Sequence, residues 1–573
     1  MLSLQDRREA VAISWREEEE RKRINFPELY IETINYSKGF LEQGLKPEDN
    51  VAIFTRNSPH WLSLVLGMNN AGISDVPREL FTEEEAKSII THSDSKIVIV
   101  ENQEMLKLAR PYFSLEKLFS IEQIPGIRNV REIYEQGKDS TKEIPRISPN
   151  TRASIIYTSG TTGEPKGAML SHNNYISNLE AILRRIPLSQ SDKFLAMLPQ
   201  WHVYGRIAIL AAAYLGAETF YVTNLKNIAS EMQREKPSVM ATVPRVWEIV
   251  YKNFVEEVRK KGSIKKFFSD KLIEKDIEYM LKGKIPGKIH TKLEHEAYSK
   301  LREKLGGNLH RIVSGGSAMP HYLKAFFYTA GLKIAEGYGM TETSPLISGS
   351  EQDLNSLFTT GPPLDNIEIR ILDPNTGRPS KKGMEGVIHV KGPNVMLGYY
   401  KNQKATDEVL KEGWMNTGDL GYFVNENLKV TGRIGDNIKL SNGEMINPQR
   451  IESLLSENNL IGIPVVIGRG WKSPAALIMP NYNDIIAYAK NHKIHYDDPK
   501  ELIYEPKIIE LYKDAIKEIN KQNMQKFERI NDFVLIPELE TGNGLTATRK
   551  IKRPEVERIY KKEIEQLESQ VNK

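Results

Sequence analysis

Fourteen residues, Tyr157 to Leu170 (YTSGTTGEPKGAML), gather hydroxyl side chains, three glycines and a lysine between two apolar runs. Such a loop suits phosphate binding. Glycines let backbone N–H groups approach an anion, Ser159, Thr161 and Thr162 add hydroxyl donors, and Lys166 adds a positive charge. It is not the GxxxxGK[ST] loop, in which lysine directly follows the second glycine and a helix begins there. Here Glu164 and Pro165 intervene, and proline has no N–H for a helix or a phosphate. Read alone, the same residues also describe a flexible glycine hairpin joining a strand at Ala153 to Thr158 with the run Ala168 to Leu170.

The elements around this loop alternate between strand and helix. Leu29, Ile31, Ile34 and Phe40 predict an amphipathic helix, Val51 to Thr55 a strand, Trp61 to Ala71 an apolar helix and Lys96 to Glu101 another strand. Alternation of this kind predicts α/β layers with a largely parallel sheet. Ser171 is a good N-cap for a helix carrying Tyr175, Leu179 and Ile182. A loop that ends a strand and feeds a helix lies at the sheet edge where α/β proteins bind ligands. Strands at Phe194 to Leu198 and Val239 to Val243 each run into a proline and a polar cluster, and RIVSGGSAMP and KIAEGYGMTETSP each read as a strand entering a glycine-rich turn. From Ile367 the pattern turns to β alone, and after Gly432 and Arg433 strands and helices mix again. The expected architecture is an α/β protein with a large N-terminal domain (1–434) of layered α/β subdomains and a small β subdomain (about 360–434). A small α+β C-terminal domain (435–573) follows.

Composition narrows the partners. With 573 residues the chain exceeds one hydrophobic core. The formal charge of +4 comes from 79 basic and 75 acidic residues, a near balance that gives no case for nucleic-acid binding. Cysteine is absent, so any thiol chemistry must come from a ligand. The N-terminal stretch lacks the apolar core of a signal peptide, so secretion is not expected. The best uncharged apolar run, Ile207 to Ala217, falls well short of the roughly 20 residues that cross a bilayer.

Eight stretches in one order carry a family resemblance: YTSGTTGEPKG (157–167), LPQWHVYGR (198–206), SGGSAMP (314–320), EGYGMTET (336–343), WMNTGDLG (414–421), GRIGD (432–436), IKLSNGE (438–444) and LTATRKIKR (545–553). The chain resembles the adenylate-forming enzymes, a superfamily of acyl-CoA synthetases, peptide-synthetase adenylation domains and firefly luciferase. The resemblance implies two steps. A carboxylate attacks the α-phosphate of MgATP to give an acyl-adenylate and pyrophosphate, and a thiol then displaces AMP. Neither step requires a protein nucleophile; both require positioned cations and N–H donors.

The resemblance also implies roles. Ser159, Gly160, Thr161, Thr162, Gly163 and Lys166 would hold the β- and γ-phosphates. Gly315, Gly316 and Ser317 would lie along the adenine, with Tyr338 stacked on it and Gly339 beside it. Thr341 would contact the α-phosphate and Glu342 would carry Mg2+, a hard cation that takes oxygen ligands. Asp419 and Arg433 would bind the ribose. Lys550 would bridge the substrate carboxylate and the α-phosphate during adenylation. The C-terminal domain would rotate between steps about Gly435, where the family usually has Asp or Lys, and Lys439 and Gly443 would line the path of the thiol. His202 has two readings, at the gate of the carboxylate pocket or as a structural histidine beside Trp201. Taken singly, Glu342 could instead be an exposed turn residue, Asp419 a turn former after Gly418 and Tyr338 core packing.

Several stretches look like the long-chain fatty acyl-CoA synthetase branch: DVPREL (75–80), VPRVWE (243–248) and IKLSNGEMINP. The expected substrates are therefore a fatty acid, ATP with Mg2+, and coenzyme A, in a cytoplasmic setting. Gln200 and Trp201 replace a more usual small polar pair before His202, and Ala547 stands where long-chain relatives commonly have proline. Between Arg259 and Lys304 fourteen Lys/Arg face seven Asp/Glu. A solvated helical excursion is one reading of that stretch and peripheral contact with anionic lipid on the inner face of a membrane is the other. The alternatives in function are an aryl or medium-chain acid, acyl carrier protein as acceptor, or a nucleotide-binding protein without turnover.

Overall fold

Strands built almost wholly from apolar residues belong in the middle of a parallel sheet, covered on both faces. Asn50–Phe54 (NVAIF) and Ile97–Val100 (IVIV) are such strands, and every residue in them is buried. The computed structural model describes residues 10–18, 20–158, 165–260, 279–280, 292–351, 353–456, 458, 460–541, 543–545 and 551–572. Ser159, Gly160, Thr161, Thr162, Gly163 and Lys550 lie outside the described residues, as does most of the basic stretch between 259 and 304. The chain divides into two compact units. One comprises Met1–Arg370, His389–Thr417 and Phe423–Lys429, the other Ile371–Ile388, Gly418–Tyr422 and Val430–Lys573. The strands expected after Ile367, now Glu368–Leu372, Gly386–Lys391, Trp414–Val424 and Asn427–Arg433, fall where the chain passes from one to the other.

The first unit holds two eight-stranded sheets among the described residues. One runs in the order Gly398–Tyr399, Lys166–Ser171, Arg152–Thr158, Ser74–Arg78, Asn50–Phe54, Ile97–Val100, Leu118–Ser120, Arg128–Asn129. The other runs Leu346–Gly349, Ile334–Gly339, Arg311–Ser314, Val239–Thr242, Lys193–Ala196, Glu218–Tyr221, Val11–Glu17, Glu20–Asn25. Their central pairs are parallel, as the alternation predicts. Helix Phe26–Glu42 turns Phe26, Leu29, Thr33, Tyr36 and Phe40 inward at helical spacing, each large apolar side chain worth about 1.5–3 kcal/mol when fully buried. Ile31 is a correction: it lies off that stripe and is 52% exposed.

The charge of ERKRIN (Glu20–Asn25) favours helix or coil on propensity, yet this stretch is an edge strand antiparallel to Val11–Glu17, which itself pairs in parallel with Glu218–Tyr221. Tertiary pairing overrides propensity because the charges find partners. Arg16 reaches Glu235 at 2.8 Å and Glu231 at 3.3 Å, Arg21 reaches Glu218 at 2.5 Å, and Lys193 reaches Glu235 at 3.0 Å. A charged edge also discourages pairing with other chains.

A buried ion pair ties the two sheets together. Helix Val203–Leu215 leaves the second sheet, and its Arg206 (1% exposed) forks onto Asp75 (0% exposed) of Ser74–Arg78 in the first. Ser154 of Arg152–Thr158 donates to Asp75 Oδ1 at 3.0 Å and also accepts from Arg206. Asn69 donates to the same carboxylate at 3.1 Å, and the guanidinium lies 4.8 Å from the Trp61 ring centre. Burial works against the Arg206 charge, but Asp75 outweighs it and the guanidinium is held above its ordinary value.

The second unit is a three-stranded sheet, Ile461–Ile467 antiparallel to Ala475–Pro480 and that strand parallel to Asp532–Leu535. Strand alternation sorts its two faces. Val466, Ala476 and Ile478 pack with Ile451, Leu455, Tyr512 and Ile516 of helices Pro448–Ser456 and Pro506–Asn523. Val465, Ile467 and Leu477 face Val556, Tyr560 and Leu567 of the closing helices. No helix among the described residues is long and apolar enough to cross a membrane.

Removing one partner of a buried pair leaves an unpaired charge, which costs about 3–5 kcal/mol. Arg206→Met should lower the unfolding free energy of the first unit by about that much in urea denaturation followed by tryptophan fluorescence. Arg206→Met combined with Asp75→Leu should recover a large part of the loss; an equal or greater loss in the double variant would contradict the pairing account.

Candidate active site

The glycine-rich motif is flanked by two strands of one antiparallel pair. Arg152–Thr158 and Lys166–Ser171 pair antiparallel from Arg152↔Ser171 to Thr158↔Lys166, so both flanks of 159–164 are fixed. The expected helix does follow, but only after the second arm: Ser171 caps His172–Arg185 with its hydroxyl on the Asn174 N–H at 3.1 Å. Tyr157 on the first arm is buried, and its hydroxyl meets His92 Nδ1 at 2.7 Å. Lys166 at the mouth of the second arm places its ammonium 5.4 Å from the centre of the Tyr399 ring.

Two further motif loops leave neighbouring parallel strands, Arg311–Ser314 and Ile334–Gly339, in register Ser314↔Glu336. Gly315 is buried while Gly316 and Ser317 are exposed, with Gly316 at φ +84°. Glu336, which sequence reasoning passed over, locks the two loops together. Its Oε1 accepts from the Met319 N–H at 3.1 Å, and its Oε2 pairs with Lys324; both side chains are buried. Beyond Glu336 the strand carries Tyr338, half-buried, and Gly339, then a 3-10 turn Thr341–Thr343. Thr341 and Glu342 are 7% and 6% exposed, so Glu342 is no exposed turn residue. Gly339 is required by its surroundings: a Cβ there would stand 1.8 Å from the Pro345 carbonyl oxygen.

A segment that none of the eight motifs contains joins the hairpin to this turn. Asn394 donates to the Thr343 and Leu346 carbonyls at 2.9 and 3.0 Å, and the Met396 N–H donates to the Glu342 carbonyl at 2.9 Å. The Leu397 and Tyr400 N–H groups donate to Met169 at 2.9 Å and Gly167 at 2.8 Å, and Gly398–Tyr399 adds a strand beside Lys166–Ser171. The Tyr399 hydroxyl donates to Glu342 Oε1 at 2.8 Å. The sequence signal was faint: NVMLGYY carries no charge and few turn cues.

His202 caps helix Val203–Leu215, its Nδ1 accepting from the Tyr204 N–H at 3.2 Å, and its ring stands edge-on to Trp201 at 6.1 Å. The two residues before it act as fasteners. Buried Gln200 takes the Asn57 side-chain oxygen on its N–H at 3.0 Å and donates its amide to the Arg56 carbonyl at 2.9 Å. Trp201, 3% exposed, donates its indole N–H to Glu79 at 3.2 Å under the Arg78 guanidinium, 5.1 Å from the ring centre. Burial pushes the Glu79 carboxyl up, with Trp201 and Arg56 opposing.

The second unit holds the remaining candidates. Asp419 sits inside the strand Trp414–Val424 rather than in a turn, is 5% exposed, and accepts from Arg433 Nε at 2.7 Å. At Gly435 a Cβ would meet nothing within 4 Å, so a side chain of the kind the family uses there is sterically allowed. Lys439 is exposed on a short ladder with Met445, and Gly443 turns that hairpin at φ +90°. The flanks of 546–550 are paired, Leu545 with Ile551 and the Lys552 N–H with the Gly544 carbonyl at 2.9 Å. Just beyond, Arg553 forks onto both oxygens of Glu452 at 2.7 Å, and Glu452 also accepts from the Val466 N–H at 2.7 Å. Burial pushes the Glu452 carboxyl up against the pull of Arg553.

The donor set suits one cation of a particular kind. Among the described residues no three His, Cys, Asp or Glu side chains gather as a metal cage. Magnesium does not need one, since it binds through one or two carboxylates and completes its shell with water and substrate phosphates. Buried Glu342, beside a lysine and a glycine-rich hairpin, meets that requirement.

The family described as AMP-binding enzyme matches residues 3–400, and the one described as AMP-binding enzyme C-terminal domain matches residues 435–572. A chloroplastic long-chain-fatty-acid–[acyl-carrier-protein] ligase of Arabidopsis thaliana is 30% identical, over 96% of this chain and 83% of its own. The peroxisomal long chain acyl-CoA synthetase 6 of the same plant is 27% identical over 91% of this chain and 78% of its own. Among solved structures, the o-succinylbenzoate coenzyme A synthetase of Bacillus subtilis in complex with ATP and magnesium ion superposes with a TM-score of 0.71. It shares 20% identity, covering 97% of this chain and 98% of that one, a likeness of fold.

The Gly339 contact can be tested directly. Gly339→Ala must displace the Met340–Thr343 turn, and misplacement by about 1 Å can cost roughly 100-fold in rate. Acid-dependent exchange of pyrophosphate into ATP should fall by about that factor, while Gly337→Ala, whose Cβ would meet the flexible Leu346 side chain no closer than 3.3 Å, should stay near wild type. Equal activity in the two variants would remove Gly339 from the site.

Proposed function

The chain belongs to the AMP-binding enzyme family, an AMP-forming acid–thiol ligase of the long-chain acyl-CoA synthetase branch, and we propose that its acid is a long-chain fatty acid and its thiol coenzyme A. The observation that carries the chemistry is the meeting of Lys166 and Glu342 at one ring, Tyr399, beside the hairpin tip. A cation and a buried carboxylate so placed suit a triphosphate with its metal. The acyl group rests on the relatives, whose names specify long-chain fatty acids along nearly the whole chain.

In this reading Ser159, Gly160, Thr161, Thr162, Gly163 and Lys166 grip the β- and γ-phosphates that depart as pyrophosphate. Gly315, Gly316, Ser317 and Gly339 flank the adenine and Tyr338 stacks on it. Glu342 carries Mg2+, which offsets phosphate charge when bound, and Thr341 donates toward the α-phosphate. Asp419 and Arg433 take the ribose hydroxyls. Lys550 supplies the charge that brings carboxylate oxygen and α-phosphorus together; that P–O bond forms as the bond to pyrophosphate breaks. In the second step the thiol sulfur attacks the acyl carbon and AMP leaves. Gly435 serves as the hinge of a mobile C-terminal domain, Lys439 and Gly443 line the thiol path, and His202 orders the acid pocket through Trp201.

A second reading keeps the acid and changes the acceptor to acyl carrier protein, favoured by the 30% identical relative named for that acceptor. The deciding experiment has two arms. Pyrophosphate exchange into ATP is measured with acids from short to long chain and an aryl acid, and thioester formation is compared between coenzyme A and holo-acyl carrier protein. Maximal exchange with long chains and transfer to coenzyme A support the proposal; aryl or short acids, or transfer to carrier protein alone, redirect it. Lys550→Ala should abolish exchange and largely spare thioester formation from supplied acyl-adenylate. Equal loss in both half-reactions would contradict its role.

A further inference from the structure

A buried carboxylate that must hold a cation faces two hazards. It can rotate away from the cation, or it can collapse onto a nearby lysine and neutralise the charge that both groups need. Lys166 lies over the ring of Tyr399 and Glu342 meets its hydroxyl, and among the described residues neither has a partner of opposite charge within 4 Å. Tyr399 is built in rather than draped. It is 7% exposed, its backbone N–H donates to the Thr406 hydroxyl at 2.9 Å, and it pairs across the ladder with Ala168, two residues beyond Lys166.

We propose that Tyr399 is a positioning residue for the metal–nucleotide site: its hydroxyl aims Glu342 at the divalent cation while its ring face holds the Lys166 ammonium apart from that carboxylate. The two ends of one side chain act on two different charges. A neutral hydroxyl donor orients a carboxylate without cancelling it, as an arginine or lysine would. The ring face attracts an ammonium through its quadrupole without removing its charge. The segment Asn394–Tyr400 makes this possible by hydrogen-bonding to the Glu342–Thr343 backbone on one side and to Gly167 and Met169 on the other.

The inference rests on the reading of Glu342 as the cation's carboxylate, and the test separates the two. Mn2+ binding to the full chain is measured by the loss of its free electron-paramagnetic signal, with α,β-methylene-ATP present so that no turnover occurs. Nucleotide binding without metal is measured in parallel. Tyr399→Phe, which keeps the ring, should weaken Mn2+ binding about 10- to 100-fold, the usual effect of losing a hydrogen bond to a metal ligand. It should leave metal-free nucleotide binding near wild type, because Lys166 keeps its ring.

Glu342→Gln should show the same weakening, and Tyr399→Phe added to it should weaken Mn2+ binding no further if the hydroxyl acts through Glu342. Wild-type Mn2+ affinity in Tyr399→Phe, or additive losses in the double variant, would overturn the proposal. A fall in metal-free nucleotide binding equal to the fall in Mn2+ binding would overturn it too, by making the effect general. Unchanged Mn2+ binding in Glu342→Gln would instead overturn the reading on which it rests.

Discussion

Everything in the first unit hangs on the fork between Arg206 and Asp75. Two sheets with apolar surfaces can slide against each other at little cost, since hydrophobic contact is not directional. A guanidinium and a carboxylate buried to 1% and 0% exposure cannot slide. Leaving either unpaired costs several kcal/mol, about a third or more of the net stability of a typical domain. The fork pins helix Val203–Leu215 over Ser74–Arg78, and through Ser154 it includes Arg152–Thr158, the strand that leads into the glycine-rich motif. That strand and the helix that His202 caps therefore share one fixed point.

From that point order propagates by short hydrogen-bonded steps. Glu336 joins the Gly315–Ser317 loop to the Tyr338–Thr343 strand and turn, and Asn394–Tyr400 joins that turn to the Lys166–Ser171 strand. Glu336 and Asn394 are buried, so their bonds are stronger than they would be in water and costly to leave unmade. This explains why a site of exposed loop residues such as Gly316, Ser317 and Gly339 can still present fixed geometry. Their tips are exposed, but their roots are held.

What was legible in the sequence were features governed by local chemistry. The IVIV strand, the Ser171 cap and the apolar helix after His202 were read from periodicity and capping, and the motif loops from their glycines and hydroxyls. Features decided by distant partners were not. Ile31 reads as core until the buried stripe passes it by. Gln200 and Trp201 looked like pocket substitutions, whereas in the fold they fasten their loop to Arg56, Asn57 and Glu79. The Asn394–Tyr400 segment was invisible because its work is done by backbone groups, which every residue carries.

Two buried carboxylates, one in each unit, show how surroundings divide one side-chain type between two settings. Asp419 accepts from Arg433 at 2.7 Å, so its charge is largely balanced within its own unit. A carboxylate with a guanidinium beside it can accept from neutral hydroxyl groups, as the proposed ribose contact requires. Glu342 accepts instead from the neutral hydroxyl of Tyr399 at 2.8 Å. A neutral donor orients a carboxylate without the ion pairing that an arginine would bring. Under the proposed function, a divalent cation arriving with the nucleotide would find there one buried carboxylate oriented by a neutral donor.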